Sequence, residues 1–595
     1  MTLEEVPQPP EQILAEFERD TKLRWPHQRA ALVKPAISLL EEQGRHAEAQ
    51  HARWEAMLFS MHRREGGQEE SLGGRFGPAM VMGGRRTTDL PDFPEEAWLY
   101  FEKRLGESKN PILRSWYADA MWEKKRHHLY ARAAIQAYHD CYPICVANGW
   151  WTEAADSLTR ALTLAVRLND TALIQEAKSK VLTALDDLSK RKSHPEVRYC
   201  LDLVDAVVNL GKRATPCDLH KGLSACQLGA TFYASEQGGR NYHIARDFAD
   251  REATLQTKLG HPDAAEAARV RIGEYLEAEA ELKRGASNLV GAAFLQDAVC
   301  HYANIGRSDK VEELKVKVRE RYQAAVEQGE FGRISSEVKI PVKDIENQAR
   351  ELLKQGLDKA LLSIGIAPTW IPDIEEARKR AQQLKQEFPL QGIIPRSTIR
   401  GTRQVNRAAT QEEIDEANAL NQYAMDAELR GVFLGHTFKI LVEEGGLDSS
   451  SLVQHLARSP FFEPDVLDVI AVGAQRYFEQ DYVSALHVLV PKLEETLRRT
   501  IGKLGASTTS QGSDGFTREK PLDEVLKTPQ LKDLLGERVM FYFEYMLNHQ
   551  LGENLRNDVA HGLMSRDRCT RALTERVIHL YLMLTPFEAR ATQQT

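Results

Sequence analysis

The sequence predicts an all-α protein in which an α-solenoid-like array of helical hairpins precedes a C-terminal helical bundle. Apolar residues recur at three- and four-residue steps through almost all of 91–330, as on amphipathic helices. Short turns built on Gly or Asn interrupt this pattern. From Asn169 onward these turns are roughly 40–50 residues apart, as in stacked helical hairpins. Leucines and isoleucines then line one face of a helix predicted at 475–505.

Composition narrows the class of protein. The chain of 595 residues is too long for one hydrophobic core, so we expect about two to four domains. The net charge of −8 argues against a protein that coats nucleic acid non-specifically, so any nucleic-acid site has to be a local patch. No apolar run approaches the roughly 18 residues of a membrane span, and the N-terminus lacks a signal-peptide pattern. We therefore expect a cytoplasmic protein without membrane contact.

The seven cysteines are scattered, which is typical of free thiols in a reducing compartment. His139, Cys141 and Cys145 lie close enough in sequence to raise a zinc site. No second ligand pair follows at the spacing that zinc requires. Core cysteines on an apolar helix are the favoured interpretation. We expect neither a bound metal nor another cofactor.

The chain begins with predicted helices and a linker. Residues 1–64 have apolar side chains at helical spacing, including Ile13 and Phe17. Residues 65–90 contain paired glycines and little apolar rhythm, which favours a flexible Gly-rich linker.

Residues 91–330 form the predicted hairpin array. Gly or Asn supplies the left-handed residue that ends one helix, as at Gly260 and Gly306, and an Asp or Ser then caps the next helix. Such arrays usually present a surface to another macromolecule, which favours a protein partner or trigger here. A helical domain that merely packs fits the same pattern about as well.

Connecting helices are predicted over residues 331–394, and a cluster of arginines follows. The cluster has spacings of four, three and four residues: Arg396, Arg400, Arg403 and Arg407. On a helix these side chains share one face and can meet phosphates, which makes the first three candidates for RNA binding. The glycine and the turn-like residues among them favour the alternative, a solvated basic linker.

Residues 395–595 are predicted to contain a compact antiparallel bundle of about four helices. Its helix at 475–505 contains Pro491, which we expect to kink or restart the helix. Glu494 and Arg498 are one turn apart on its flank. Nearby positive charge provides two further candidates for RNA binding: Arg499 and Lys503.

Three segments and one short helix complete the bundle. Residues 505–515 are rich in Gly, Ser and Thr, and we interpret them as a mobile loop over a site. Residues 521–550 predict a short helix and a long aromatic one, and 566–587 predict the last helix. Between them, a short helix is expected to begin at a capping Asn554 and to end at Gly562.

This short helix carries the candidate catalytic residues. Arg556 is a permanent cation that can hold a phosphate through two hydrogen bonds. His561 has the side chain most easily tuned to transfer protons near neutral pH. Asn557 and Asp558 precede His561 by four and three residues, so either can orient its imidazole. An Arg followed by a His after four to six residues is a weak pattern that recurs at Arg45 with His51 and at Arg430 with His436, so the context of a helix break in a bundle singles out this pair.

The segment 554–563, NLRNDVAHGL, resembles the RNxxxHG motif of a helical domain that also occurs in the endoplasmic-reticulum membrane-associated RNA degradation protein. Residues 481–487 and 491–498 look like the first helix of that domain. The resemblance covers roughly residues 395–590 and places the domain in the HEPN-like superfamily, which is all-helical and often ribonucleolytic. Residues 110–122 look like the helical region that often precedes it in bacterial proteins.

The resemblance implies a metal-independent endoribonuclease. His561 would act as general base or acid on the RNA 2′-hydroxyl and the leaving oxygen, Arg556 would stabilise the phosphorane, and Asn557 would position one of them. Two protomers would pair through their bundles, place two motifs across one cleft and leave a cyclic phosphate. The N-terminal array would sense a trigger or partner, as in bacterial defence or toxin-like systems.

Two other functions remain open. Domains of this superfamily also bind or dimerise without cutting, so the chain fits a non-catalytic adaptor whose array binds protein and whose bundle dimerises. Buried polar groups can account for an Arg, an Asn and a His at a helix start. Nucleotide binding or nucleotidyl transfer is less favoured, since no Gly-rich phosphate loop or carboxylate triad is apparent.

Overall fold

A computed structural model describes residues 9–64, 74–82, 84–194, 196–332, 339–392, 396–400, 403–512 and 515–587, with the backbone alone at 390, 391, 396 and 403. About 74% of the described residues are helical, in 26 helices with a few short strands, which confirms the predicted all-α fold and its helical hairpins. The chain divides into two compact units, Met1–Glu330 and Phe331–Thr595. No helix in the described ranges is long and apolar enough to cross a membrane.

Unit 1 consists of fourteen helices and two small β-hairpins within its described residues. The helices are α1 (Pro10–Arg19), α2 (Pro26–Glu42), α3 (His46–Leu58), α4 (Glu95–Glu107), α5 (Pro111–Lys125), α6 (His128–Ala147), α7 (Trp151–Leu168), α8 (Thr171–Ser189), α9 (Glu196–Asn209), α10 (Pro216–Ala234), α11 (Tyr242–Leu259), α12 (Pro262–Arg284), α13 (Asn288–Asn304) and α14 (Ser308–Glu327). The strands are β1 (His62–Arg63), β2 (Phe76–Gly77), β3 (Val81–Met82) and β4 (Arg85–Arg86). Helices α10 to α14 pack in sequence order, each against the next, as stacked hairpins do.

Left-handed residues end helices of this unit as the sequence predicts. Asn169 has φ 52°, and Asp170 caps α8 by accepting hydrogen bonds from two backbone N–H groups of its first turn. The predicted side-chain cap is absent after Gly260. There the N-cap is His261, and Asp263 lies inside the first turn of α12, where its charge interacts favourably with the helix dipole.

Residues 74–77 of the predicted linker are packed, whereas Met80, Val81 and Met82 are exposed. Strand β2 pairs with β1 in antiparallel register, and Phe76 is buried in the unit 1 core. Arg75 is 1% exposed and donates to both carboxylate oxygens of Asp156 on α7. A buried ion pair and a buried aromatic ring hold this segment in place. Residues 65–73 and 83 of the linker lie outside the described residues.

Unit 2 consists of twelve helices and two β-hairpins within its described residues. The helices are α15 (Val342–Leu353), α16 (Leu357–Ile366), α17 (Ile374–Glu387), α18 (Gln411–Glu443), α19 (Ser449–Leu456), α20 (Pro464–Phe478), α21 (Tyr482–Lys503), α22 (Leu522–Leu526), α23 (Pro529–Leu535), α24 (Glu537–Leu547), α25 (Leu555–Ala560) and α26 (Arg571–Leu582). The strands are β5 (Arg396–Arg400), β6 (Arg403–Ala408), β7 (Thr509–Gln511) and β8 (Thr517–Glu519).

The helices predicted as connectors belong to the core of unit 2. Ala360 and Ile364 of α16 are in the same buried cluster as Tyr581 of α26. His579 of α26 is fully buried and its Nε2 lies 3.1 Å from the carbonyl oxygen of Ile364. The C-terminal domain therefore extends upstream of the predicted start at 395, because α26 needs α16 to cover its apolar side.

Two helix predictions in this unit need correction. The stretch 475–505 is divided between α20 and α21, since Gln480 adopts a left-handed φ of 64° and Asp481 caps α21. Pro491 lies within a continuous α21 and does not restart it. The buried leucine stripe of this helix, which the sequence predicts, packs on both sides of the proline and holds the helix together. The aromatic segment 521–550 forms three helices rather than two.

Two loops of unit 2 contain β-hairpins. Residues 396–400 and 403–408 pair as β5 and β6, with Arg396 opposite Ala408 and Arg400 opposite Arg403, so the basic helix predicted there is wrong. In the loop predicted as mobile, Thr509 and Glu519 pair at one end of a β7–β8 hairpin.

Candidate functional site

The RNxxxH segment lies on the short helix α25 of unit 2. Asn554 precedes the helix with a left-handed φ of 54°, and its side chain makes no capping hydrogen bond to α25, contrary to the prediction. The left-handed backbone turns the amide away from the helix N–H groups, which a capping residue in extended backbone would reach. Gly562 has φ 66° and follows the helix end, as predicted.

Arg556 is held by Glu494 of α21. Its Nε lies 2.7 Å from Oε2 of Glu494, and its Nη2 lies 3.5 Å from Oε1. The same carboxylate accepts from Nη2 of Arg498 at 2.7 Å. Glu494 thus fixes two guanidinium groups, and Arg556 keeps 29% of its side chain exposed. This arrangement orients Arg556 and leaves part of its guanidinium open to an anion.

Asn557 is bonded to other amides rather than to the imidazole. Its Nδ2 donates to Oδ1 of Asn554 at 2.8 Å and to Oδ1 of Asn548 at 3.2 Å. Its Oδ1 lies 3.5 Å from Nη1 of Arg556. Asn557 therefore connects the motif arginine to the loop before α25. These contacts do not support the expectation that Asn557 orients His561.

Asp558 anchors the helix instead of orienting the imidazole. It is 1% exposed and accepts hydrogen bonds from Arg568, and from Nη1 of Arg400 at 3.4 Å. Both arginines also donate to backbone carbonyls of the preceding loop, including that of Glu553. Three charged side chains thus fix α25 and its entry loop together.

His561 is exposed and lines a cavity of about 390 Å³. Four of the lining side chains are amides, and none is charged apart from the titratable His561: Gln404, Val405, Gln550, Asn554, Asn557, His561 and Leu563. Arg556 is not among them, so the structure brings Asn557 and His561 together at one cavity and places Arg556 beside it, against α21. The imidazole is accessible to a ligand, as proton transfer requires.

The remaining basic candidates whose side chains the structure describes are engaged with carboxylates or carbonyls. Arg499 is paired with Glu463, Asp465 and Glu495. Hydrogen bonding to Asp465 is the largest cause of the raised pKa of the Arg499 guanidinium. Lys503 is also paired with Glu463. Arg400 donates to carbonyls of the motif loop. The side chains of Arg396 and Arg403 lie outside the described residues.

Several residues of the site were missed from the sequence. Gln404 reaches the cavity from β6, more than 150 residues before the motif, and no sequence pattern connects the two. Gln550, Glu553 and Arg568 flank the motif closely. The sequence signal for these three residues was their polar character so close to a candidate catalytic helix.

The possible zinc ligands of unit 1 are core residues. Cys141 and Cys145 are buried and free, and burial raises the pKa of each thiol to about 12. His139 is buried, and desolvation lowers the pKa of its imidazole. Across the described ranges, no group of three or more His, Cys, Asp or Glu side chains is placed to hold a metal ion.

Comparison with models of protein families gives a match within unit 1. A family model described as a domain of unknown function (DUF7380) matches residues 22–177, which lie within unit 1. No curated protein matches the chain. The matched family thus carries no described activity, and it covers a region separate from the RNxxxH segment.

Proposed function

We propose that the protein is a metal-independent endoribonuclease of the HEPN type, with Arg556, Asn557 and His561 as its catalytic residues. One observation above all supports this function: an exposed His561 lines a cavity with room for a nucleotide, beside an arginine oriented by Glu494. Neutral amides of this kind suit a nucleobase, and the partly exposed Arg556 suits the neighbouring phosphate.

The proposed reaction needs proton transfer and charge stabilisation. His561 removes the proton of the RNA 2′-hydroxyl, which attacks the adjacent phosphorus, and Arg556 stabilises the negative charge on the phosphorane. The 5′-oxygen leaves with a proton, and the other product ends in a 2′,3′-cyclic phosphate. One imidazole cannot be deprotonated base and protonated acid in the same step, so a second His561 from a paired protomer supplies the acid.

The proposal includes the partners of each unit. Unit 2 binds RNA and pairs with a second copy through its bundle, and the helical array of unit 1 binds the protein partner or trigger that activates cleavage. The protein acts in the cytoplasm, where RNA is available and its free cysteines stay reduced.

Single substitutions at the motif test this proposal. Arg556→Ala and His561→Ala are expected to lower RNA cleavage in the presence of a chelator by about 100-fold or more, the range typical of lost acid–base catalysis. His487→Ala, an exposed histidine on α21, is the matched control and should cleave like the wild type. Full activity of both motif variants would contradict the proposal, provided that circular dichroism shows all the proteins folded.

The Arg556–Glu494–Arg498 cluster favours one alternative, the non-catalytic adaptor. In that function Arg556 ties α25 to α21 and supports dimerisation only. The adaptor predicts that Arg556→Ala weakens self-association, and that the wild type cleaves no RNA under any activating condition.

A further inference from the structure

The β7–β8 hairpin of unit 2 carries an exposed aromatic ring in line with two cations. Phe516 is 70% exposed, more than any other Phe, Tyr or Trp among the described residues. The backbone pairing of β7 with β8 extends one residue beyond each end of β8, to Phe516 and to Lys520. Because side chains alternate along such a strand, Phe516, Arg518 and Lys520 lie on one face, which we call the β8 face.

The β8 face is accessible to a ligand. The three residues across the hairpin from it have small side chains: Thr508, Ser510 and Gly512. Bulky neighbours across the strand would otherwise cover the ring and the cations. Arg518 is exposed and Lys520 is half-buried.

The charge of this face is positive. Within the described residues 505–512 and 515–520 the only acid is Glu519, which lies on the opposite face of β8. There its Oε2 is 3.8 Å from Nε of Arg498. An exposed ring beside two cations is complementary to a single-stranded nucleic acid, whose bases stack on the ring while its phosphates meet the cations. The bases of a duplex are stacked on each other and do not reach such a ring.

The end of the β8 face is tied to the carboxylate that holds the motif arginine. Nε of Arg498 donates to the carbonyl of Lys520 at 2.9 Å, and Nη2 of Arg498 donates to Glu494 at 2.7 Å. Glu494 also accepts from Nε of Arg556 at 2.7 Å. One arginine and one carboxylate thus connect the backbone of Lys520 to the guanidinium of Arg556.

We propose that the β8 face binds a single-stranded segment of the RNA, next to the nucleotide that is cleaved. One base stacks on Phe516, and Arg518 and Lys520 pair with phosphates between that base and Arg556. The RNA identity of the ligand rests on the proposed function, whereas the preference for a single strand follows from the ring and the cations. Every base has a π-face, so these contacts select unpaired RNA with little preference for sequence.

Fluorescence anisotropy with a labelled single-stranded RNA tests the ring in the full chain. Every protein in this assay also carries His561→Ala, so that the RNA stays intact. Phe516→Ala is expected to weaken binding about five-fold or more, and Phe516→Tyr, which keeps a stacking ring, should restore it. Phe388→Ala, at a ring 53% exposed after α17, is the matched control and should bind like the His561→Ala protein. Equal affinity for the Phe516→Ala and Phe388→Ala proteins would overturn the proposal, as would equal affinity for duplex and single-stranded RNA.

The salt dependence of binding tests the two cations. Each phosphate contact with a single strand contributes about 0.7 to the slope of log affinity against log salt concentration, so Arg518→Gln with Lys520→Gln should reduce that slope by about 1.4. Phe516→Ala should leave the slope unchanged, and so should Arg380→Gln, at an exposed arginine of α17. An unchanged slope in the double variant would refute the phosphate contacts.

Cleavage assays with His561 in place separate this inference from the nuclease proposal. Substitutions in the β8 face should raise KM and leave kcat close to that of the wild type, because none of these side chains touches the reacting atoms. A wild type that binds RNA through the β8 face and cleaves none would support this inference and remove the nuclease function. A wild type that cleaves RNA, with unchanged affinity in the β8 variants, would do the reverse.

Discussion

Glu494 decides what the motif arginine is able to do. Without a partner, Arg556 would spread over many rotamers, and its side-chain entropy would be lost on binding a phosphate. The Glu494 carboxylate holds Nε of Arg556 at 2.7 Å and leaves 29% of the side chain exposed. The ion pair thus lowers the ordering cost at the expense of some positive charge. Preorganised donors of this kind stabilise developing charge most effectively.

Substitution of Glu494 by Gln is expected to lower cleavage about ten-fold while His561 stays in place, because Arg556 then loses its charge-assisted anchor. Cleavage rates at saturating RNA measure this. Glu495→Gln is the matched control, since Glu495 is the next residue of α21 and pairs with Lys492 and Arg499 instead. Equal rates for the two variants would remove Glu494 from the catalytic centre.

The sequence was informative about single residues to a limited extent. Motif type and a helix break predict where Arg556 and His561 lie on a short helix before Gly562. The partners of these residues could not be predicted, because they come from elsewhere in the chain. Arg499 illustrates this: its acidic partners Glu463 and Asp465 lie 36 and 34 residues upstream, and they neutralise a charge that looked available for RNA.

At the scale of elements, helices were predictable and hairpins were not. Amphipathic periodicity is a local pattern, and it predicts the helices in the region of α10 to α14. Arginines at spacings of four, three and four residues are compatible with either a helix or a loop. Residues 396–400 and 403–408 form β5 and β6 because the backbone groups of the two segments hydrogen-bond to each other. Helical periodicity within one segment gives no signal of such pairing. This hairpin contributes Arg400 and Gln404 to the surroundings of the motif.

Helix α26 gives unit 2 a predictable pH dependence. Burial lowers the pKa of His579 to about 4, from a normal 6.5, because its protonated ring would be a charge in an apolar core. The unfolded chain therefore binds a proton at His579 as pH falls below 6.5, while the folded chain does not until about pH 4. The contribution of neutral His579 to the free energy of unfolding is complete above pH 6.5 and is lost as pH falls from 6.5 to about 4.

Urea unfolding of residues 331–595 at pH 7 and pH 5 measures this effect. Because of this one group, the free energy of unfolding of the wild type should be about 2 kcal/mol lower at pH 5 than at pH 7. His579→Gln retains a donor for the Ile364 carbonyl but does not titrate, so its pH dependence should be smaller by about that amount. An identical pH dependence in the two proteins would contradict a neutral, buried His579.

At the scale of the whole molecule, fold class was easier to predict than the limits of its parts. The end of unit 1 at Glu330 coincides with the predicted end of the array. The C-terminal domain is predicted to start at 395, where the resemblance to the RNxxxHG domain begins. Packing of Ala360 and Ile364 into the same core as Tyr581 places α16 in unit 2. Such contacts span more than 200 residues and leave no local signal.

Self-association follows from the need for a second imidazole. Residues 331–595 are expected to form a dimer by light scattering, which is a better test than the fragment 395–595, since the shorter fragment lacks α15 to α17. Leu563, 51% exposed and next to the cavity at His561, is a residue that pairing would cover. A strict monomer across a dilution series would contradict the composite cleft.

The chemistry of the RNA ends tests the central claim most directly. The full chain is incubated with single-stranded RNA and a chelator, under activating conditions, and the products are analysed by mass spectrometry. We predict products with 2′,3′-cyclic phosphate ends for the wild type and none for the Arg556→Ala, His561→Ala double variant. Products with 3′-hydroxyl ends, or cyclic phosphate ends from the double variant as well, would contradict a reaction carried out by these two side chains.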